Sequence, residues 1–90
     1  MFYYTYVLLS GKDGNHYTGY TKDLKLRFEL HKTGKVESTK YRRPLELIYY
    51  EACLSQEDAM RRETYLKSYH GRMYLAKRLK SYSTGLRLFP

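Results

Sequence analysis

The sequence predicts an α+β fold, three short strands with helices packed on them. Three observations carry that reading. Three runs of strand length, residues 2–9, 16–20 and 45–51, are aromatic, β-branched and aliphatic. Two segments, opening near Thr21 and Ser55, place helix-capping residues ahead of mixed apolar and charged stretches. The strings SGKDGN and KYRRP mark loops between them. The order is therefore strand, strand, helix, strand, helix, helix.

Residues 2–9 (FYYTYVLL) read as a strand with both faces covered. Residues 10–15 are dense in turn formers, and 16–20 (HYTGY) are the return strand of a hairpin. Thr21 is placed as the N-cap of the first helix, with Asp23 in its first turn. That helix runs to about Lys32, and Gly34 supplies the stop. Residues 35–44 are a polar, basic loop, and Pro44 biases Arg43 away from helix. Residues 45–51 (LELIYYE) are the third strand. Ser55 opens the second helix, with Asp58 completing a capping-box-like pattern. It lasts to about Ser68, Gly71 interrupts, and a shorter helix covers about 72–80. Residues 81–90 are expected to fray. The division is one domain over 1–82 and a tail over 83–90.

Ninety residues fit one domain with a modest core. The formal net charge of +8 favours a polyanionic partner, because cationic side chains neutralise phosphates. No apolar run approaches the roughly 20 residues of a membrane helix, so a membrane span is excluded. The chain start has no leader pattern, and the lone Cys53 fits a reducing cytoplasm. Twelve tyrosines with no tryptophan suggest that some line a working surface. Three dispersed histidines and one cysteine give no zinc spacing.

Within this frame a few residues stand out. If Leu9 lies opposite His16 across the hairpin, Leu8 lies opposite Tyr17, and Tyr6 shares their face. The tyrosines are then diagonal neighbours, either sheet packing or part of a site. Gly19 inside a short strand marks a close approach or a bulge. Arg27 and His31, at i and i+4, share a helix face flanked by Leu24 and Phe28. They can aim at a phosphate, or Arg27 can lie solvated over Phe28. Glu63 falls on a stripe with Ala59, Met60 and Leu66, where a carboxylate needs a partner. Mg²⁺ is one partner and a surface pair with Lys67 is the other. Residues 22–43 carry eight Lys/Arg against three acids, and 61–80 carry seven against one. Lys35, Lys40, Arg42, Arg43, Arg62, Lys67 and Arg72 are the candidates to hold nucleic-acid phosphates, with tyrosines interleaved for stacking.

Together these positions resemble the GIY-YIG nuclease superfamily. Tyr4-Thr5-Tyr6 stands for a degenerate first half-motif, and Tyr17-Thr18-Gly19 for a well-matched second. Arg27, His31 and Glu63 fall where the family carries its arginine, histidine and metal-binding glutamate. The chain is most similar to the small UPF0213-like bacterial members, in which a segment like STKYRRPLELIYYE is typical. The resemblance covers about residues 2–80. It implies a three-stranded antiparallel sheet flanked by helices, and a metal-dependent endonuclease using Mg²⁺ or Mn²⁺, with DNA a more natural partner than RNA. By position, Tyr6 or Tyr17 is the general base, Arg27 stabilises the phosphate, Glu63 holds the metal and His31 assists. Arg27, other basic neighbours and the metal are expected to favour the phenolate form of the base or to share the deprotonation of water. One departure stands against this: many members have an asparagine about a dozen residues after the glutamate, and the only asparagine here is Asn15. A non-catalytic nucleic-acid-binding module with the same fold is the alternative. A small interaction protein for another acidic partner is the third reading.

Overall fold

The structure, a computed structural model, describes residues 1–88. Strand β1 (Tyr3–Ser10) is the centre of an antiparallel sheet of order β2-β1-β3. Strand β2 (His16–Thr21) returns along one edge, with Leu8 opposite Tyr17 and Leu9 opposite His16. This is the register the hairpin reading expects. Strand β3 (Leu45–Cys53) runs along the other edge, two residues longer than expected, because Tyr3 and Tyr4 extend β1 far enough to pair with Cys53 and Ala52.

A register shift between Val7 and Leu8 sorts the two faces. Tyr49 lies opposite Val7 and Leu47 opposite Leu8, so Ile48 is the extra residue of a bulge. Ile48 and Tyr49 consequently pack with Val7, while Leu47 packs with Leu8. Helix α1 (Leu24–Lys32) covers the Tyr6–Leu8 face through Leu24 and Phe28. Helices α2 (Gln56–Lys67) and α3 (Tyr69–Arg78) cover the other face, where Leu66 and Leu75 enclose Val7. The Thr5 hydroxyl donates to the Ala59 carbonyl at 3.0 Å and ties α2 to the central strand.

Several boundaries differ from the sequence reading. Asp23, not Thr21, caps α1: its carboxylate accepts from the Leu26 N–H, while Thr21 still pairs with Tyr4 in the sheet. The loop over 35–44 contains a 3-10 turn at Lys40–Arg42. The break between α2 and α3 is at Ser68, whose hydroxyl caps α3 by accepting from the Gly71 N–H. Gly71 therefore lies inside α3. Its role is space, because a Cβ there would run into the Tyr65 carbonyl and the Leu66 backbone at the end of α2. Residues 81–88, expected to fray, belong to a fourth helix, α4 (Lys80–Leu88), which crosses the 82/83 boundary. The Tyr82 hydroxyl anchors it by donating to Glu46 at 3.1 Å.

The α2–α3 junction gives a stability prediction opposite to helix propensity. Gly71→Ala should gain about 1 kcal/mol from propensity, yet we expect net destabilisation, because the backbone of α2 cannot yield as a side chain can. Urea unfolding measures it, and a more stable variant would show that the junction relaxes.

Candidate active site

Tyr6 stands mid-strand in β1, opposite Gly19 on one side and Tyr50 on the other, and is 1% exposed. A tyrosine so enclosed needs partners for its hydroxyl. Helix α1 supplies two. His31 Nε2 lies 2.8 Å from the Tyr6 hydroxyl, and Arg27 Nε donates to it across 3.4 Å. The i, i+4 spacing puts both on one helix face, and Leu24 and Phe28 press that face to the sheet. Gly19 makes the room: a methyl there would lie 2.6 Å from the Tyr6 hydroxyl oxygen and 2.7 Å from the carbon bearing it. Tyr17 completes the group, half-buried, its ring centre 6.4 Å from that of Tyr6 and 5.2 Å from that of His31.

The electrostatics follow from enclosure. Burial, and secondarily the charge of Arg27, hold His31 down to about 4, so the ring is neutral at pH 7. Burial also pushes the Tyr6 hydroxyl above its ordinary value; the Arg27 hydrogen bond opposes this, while Tyr17 and Glu63 add to it. For Tyr6 this corrects the expectation of a favoured phenolate, since desolvation outweighs the arginine. Arg27 itself is held above its usual range by the Tyr6 hydroxyl, with Tyr17 contributing.

Glu63 is placed differently. It sits on α2, which packs on the opposite face from α1, and its carboxylate accepts from Lys67 at 2.8 Å. The surface pair weighed from sequence is thus present. Its charge still reaches the site, since it raises the Tyr6 hydroxyl. The structure brings Tyr6, Tyr17, Arg27 and His31 together, and does not bring Glu63 into hydrogen-bond contact with them. Between β2 and the α2–α3 pair lies a cleft of about 330 Å³, lined by His16, Tyr17 and Thr18 on one side and Leu66, Lys67 and Arg72 on the other. A wider hollow of about 520 Å³, between Tyr4, Leu47, Tyr50 and the start of α1, holds none of the candidate residues.

The basic candidates divide. Arg62 is a structural cation: it makes paired hydrogen bonds to Glu51 and lies over the rings of Tyr65 and Tyr74 at 4.9 and 4.8 Å. Arg42 bonds Asp13 at 3.0 Å and holds that carboxyl down to about 2. Lys40 pairs with Glu37, and Arg43 donates to the Lys40 carbonyl. Lys35 and Arg72 are exposed, and Arg72 lines the cleft beside Tyr17. Leu75, a dozen residues after Glu63, is buried in the core, while Asn15 lines a neighbouring cleft with Arg72 and Ala76. Sequence reasoning missed Thr39, whose hydroxyl lies 2.7 Å from His31 Nδ1. The only signal was its place in the STKYRRP segment.

A family model for the GIY-YIG catalytic domain matches residues 2–78. The chain belongs to the GIY-YIG family. Among curated relatives, a UPF0213 protein of Streptococcus agalactiae is 48% identical over 65 residues, covering 71% of this chain and 73% of that one. A UPF0213 protein of Staphylococcus saprophyticus is 37% identical over 84 residues, covering 92% and 96%. The solution NMR structure of the UPF0213 protein BH0048 from Bacillus halodurans matches with a TM-score of 0.53 and 39% identity, over 86% of this chain and 84% of that one. The GIY-YIG half-motifs thus lie side by side on β1 and β2, with Tyr6 and Gly19 directly paired.

Two predictions follow from this geometry. Gly19→Ala should leave the chain folded but displace the Tyr6 ring, seen as altered ring signals of Tyr6 and His31 by NMR; unchanged signals would show that the close approach is dispensable. The second concerns pH. The unfolded chain protonates His31 near 6.5 and the folded chain near about 4. Between these values the unfolded state binds more protons, so stability falls as pH falls through that window. His31 contributes at most about 1.4 kcal/mol per pH unit. His16, also lowered by burial, acts in the same direction. Urea titrations should show His31→Gln losing part of this slope, and an unchanged slope would contradict the assignment.

Proposed function

We propose that this GIY-YIG domain hydrolyses phosphodiester bonds in DNA as an endonuclease, with Mg²⁺ or Mn²⁺ as cofactor. The observation that carries the reading is the hold of Tyr6 on Arg27. Engaging Nε leaves the terminal guanidinium nitrogens to donate as a fork to a phosphate beside Tyr17. Those bonds strengthen as charge builds on the phosphoryl oxygens, which is the condition for lowering the barrier.

The two tyrosines divide the work. Tyr17, half-buried and lining the cleft, is the residue placed to take a proton from the attacking water. Tyr6 is enclosed and stays protonated; its task is to fix Arg27. Lys67 and Arg72 on the cleft wall suit the flanking phosphates. Glu63 is the residue to hold the cation. No cluster of three or more His, Cys, Asp or Glu occurs among the described residues, but Mg²⁺ commonly takes one or two carboxylates and keeps its waters. One carboxylate of hard oxygen donors, tied among the described residues only to an i+4 lysine, fits such a hydrated ion. When bound, the ion supplies Lewis-acid stabilisation of charge on the phosphate. Cys53 is a free thiol, and no helix among the described residues is long and apolar enough to cross a membrane. The free thiol suits a reducing cytoplasm, and we take branched, nicked or single-stranded DNA of the kind met in repair as the substrates to try.

The test is a cleavage assay on such substrates with Mg²⁺ or Mn²⁺. Arg27→Ala should lose roughly a hundredfold or more in rate. Glu63→Gln should lower cleavage by orders of magnitude and leave affinity equal or tighter, since one negative charge near the phosphates is gone. Unchanged cleavage would remove Glu63 from the site. The lack of an asparagine about a dozen residues after Glu63 keeps the binding-only module as the second reading; wild-type protein that binds all these substrates and cuts none would establish it. Binding itself should weaken by about 0.9 log units per log unit of salt for each phosphate contact on duplex DNA. A flat titration would argue against phosphate contact altogether.

A further inference from the structure

The cleft beside Tyr17 does not stop at Arg72. It continues into a second hollow of about 420 Å³, and His16, Arg72 and Leu75 form walls of both. The two make one groove from Tyr17, past the start of β2, to the hairpin loop and the junction of α3 with α4. No acidic side chain lines either part; the charged groups are Lys67 and Arg72. Lys67 is paired with Glu63, whereas Arg72 enters no ion pair among the described residues. The hollow beside Tyr4 and Tyr50 differs, since Asp23 and Glu29 stand among its lysines. The charge therefore suits an anionic occupant in the first groove and not in the second.

The far end of the groove has the chemistry of a base pocket. Its inner wall is apolar, with buried Leu75 flanked by Ala76 and Leu79. Asn15 and Ser83 add an amide and a hydroxyl, the groups that hydrogen-bond base edges. His16 adds a flat ring, neutral at pH 7 because burial holds it below its ordinary value, and such a ring stacks on bases. Arg72 stands where the two hollows meet, which suits a phosphate linking one nucleotide to the next.

The loop that carries Asn15 is braced in advance. The Gly14 N–H donates to the Ser10 carbonyl, the Ser10 N–H to the Asn15 carbonyl, and the Asn15 N–H to the Asp13 carboxylate. Arg42 donates to Asp13 and to the His16 carbonyl. The Asn15 carboxamide enters none of these bonds, so it is held near the groove and left to a ligand. A wall ordered beforehand costs little to order on binding. A base in a duplex has its edge committed to its partner and its faces to its neighbours. Only an unpaired base brings both face and edge into a walled groove.

We propose that this hollow is a nucleotide subsite: it takes the unpaired base next to the nucleotide held at Tyr17, with Arg72 on the phosphate between them. This deepens the nuclease reading by naming the substrate class, a strand unpaired beside the cut. It rests on the Tyr17 cleft being a nucleic-acid site, and not on turnover there.

The test compares three probes on the full chain: a short single-stranded DNA, an abasic strand of the same length, and a duplex. In nitrogen-15 NMR the Asn15 side-chain amide and the Ala76 signals should shift with the single strand and stay in place with the other two. The single strand should bind roughly tenfold more tightly than the abasic strand, the effect of one well-held base. Ala76→Phe, which fills the hollow from an exposed helix position, should bind the two alike. Should that variant not fold, Asn15→Ala should lose part of the preference. Shifts of equal size with abasic or duplex DNA, or a preference that both variants keep whole, overturn the subsite. So does an acidic peptide that displaces the single strand from these signals at equal charge, which would give the groove to a protein partner. Absence of binding by every probe sinks the subsite and the nuclease reading together. The expected shifts without cleavage of any substrate keep the subsite and remove the nuclease.

Discussion

Placing a tyrosine hydroxyl inside the central strand constrains everything around it. The Tyr6 ring fills the space between sheet and α1, and its oxygen must be paired there. That requirement accounts for Gly19, since any side chain opposite Tyr6 would occupy the hydroxyl position. It accounts for the face that α1 turns to the sheet, which must deliver Arg27 and His31 to one atom. It reaches into the segment after α1 as well, because a buried neutral histidine has two nitrogens to satisfy, and the second takes Thr39 from the turn ahead of β3. Three elements distant in sequence are thus fixed by one oxygen.

The other face of the sheet is organised by a charge. Glu51 is half-buried on β3, where burial works to raise it; the hydrogen bonds from Arg62 and Tyr49 win and hold it below its ordinary value. Arg62 in turn lies over Tyr65 and Tyr74. Locking Arg62 toward β3 fixes the rotation of α2. Successive residues on a helix differ by about 100°, so Glu63 is turned away from the β3 edge. With β2 at the opposite edge, Lys67, the i+4 neighbour paired with Glu63, lines the Tyr17 cleft. An ion pair at the β3 edge in this way bears on which face of α2 turns toward the cleft.

What was legible in the sequence was mostly local or periodic. The hairpin register, the shared face of Tyr6 and Tyr17, and the pairing of Arg27 with His31 on one helix face all follow from periods of two and 3.6. The three-stranded antiparallel sheet followed from the family resemblance, but the strand order, with β1 between β2 and β3, was not read, since a hairpin leaves open which strand gains the third partner. The unread parts depend on long-range contact. Arg62 looked like any cation of a basic helix, because nothing local reveals Glu51 across the sheet. Gly71 looked like a helix breaker, because its need for space comes from the backbone of the preceding helix. Thr39 sat in a polar loop with no period to mark it. The fourth helix was hidden by serine, threonine and glycine, which are poor helix formers held here by the anchor from Tyr82 to Glu46.

The same enclosure that makes Tyr6 a good structural node makes it a poor base, and this separates the roles of the two half-motifs. A base must meet water and must lose its proton readily. Tyr6 is sealed between α1 and Gly19, and burial pushes its hydroxyl the wrong way even with Arg27 against it. Moving Tyr6 outward would break the hold on Arg27 and strand His31. On the proposed nuclease reading the first strand is then committed to positioning, and proton transfer falls to a tyrosine near the node but outside the seal. Tyr17 meets that condition because β2 is an edge strand: its ring packs against His31 on one side while lining the basic cleft on the other. A tyrosine on a central strand, covered on both faces, cannot do both.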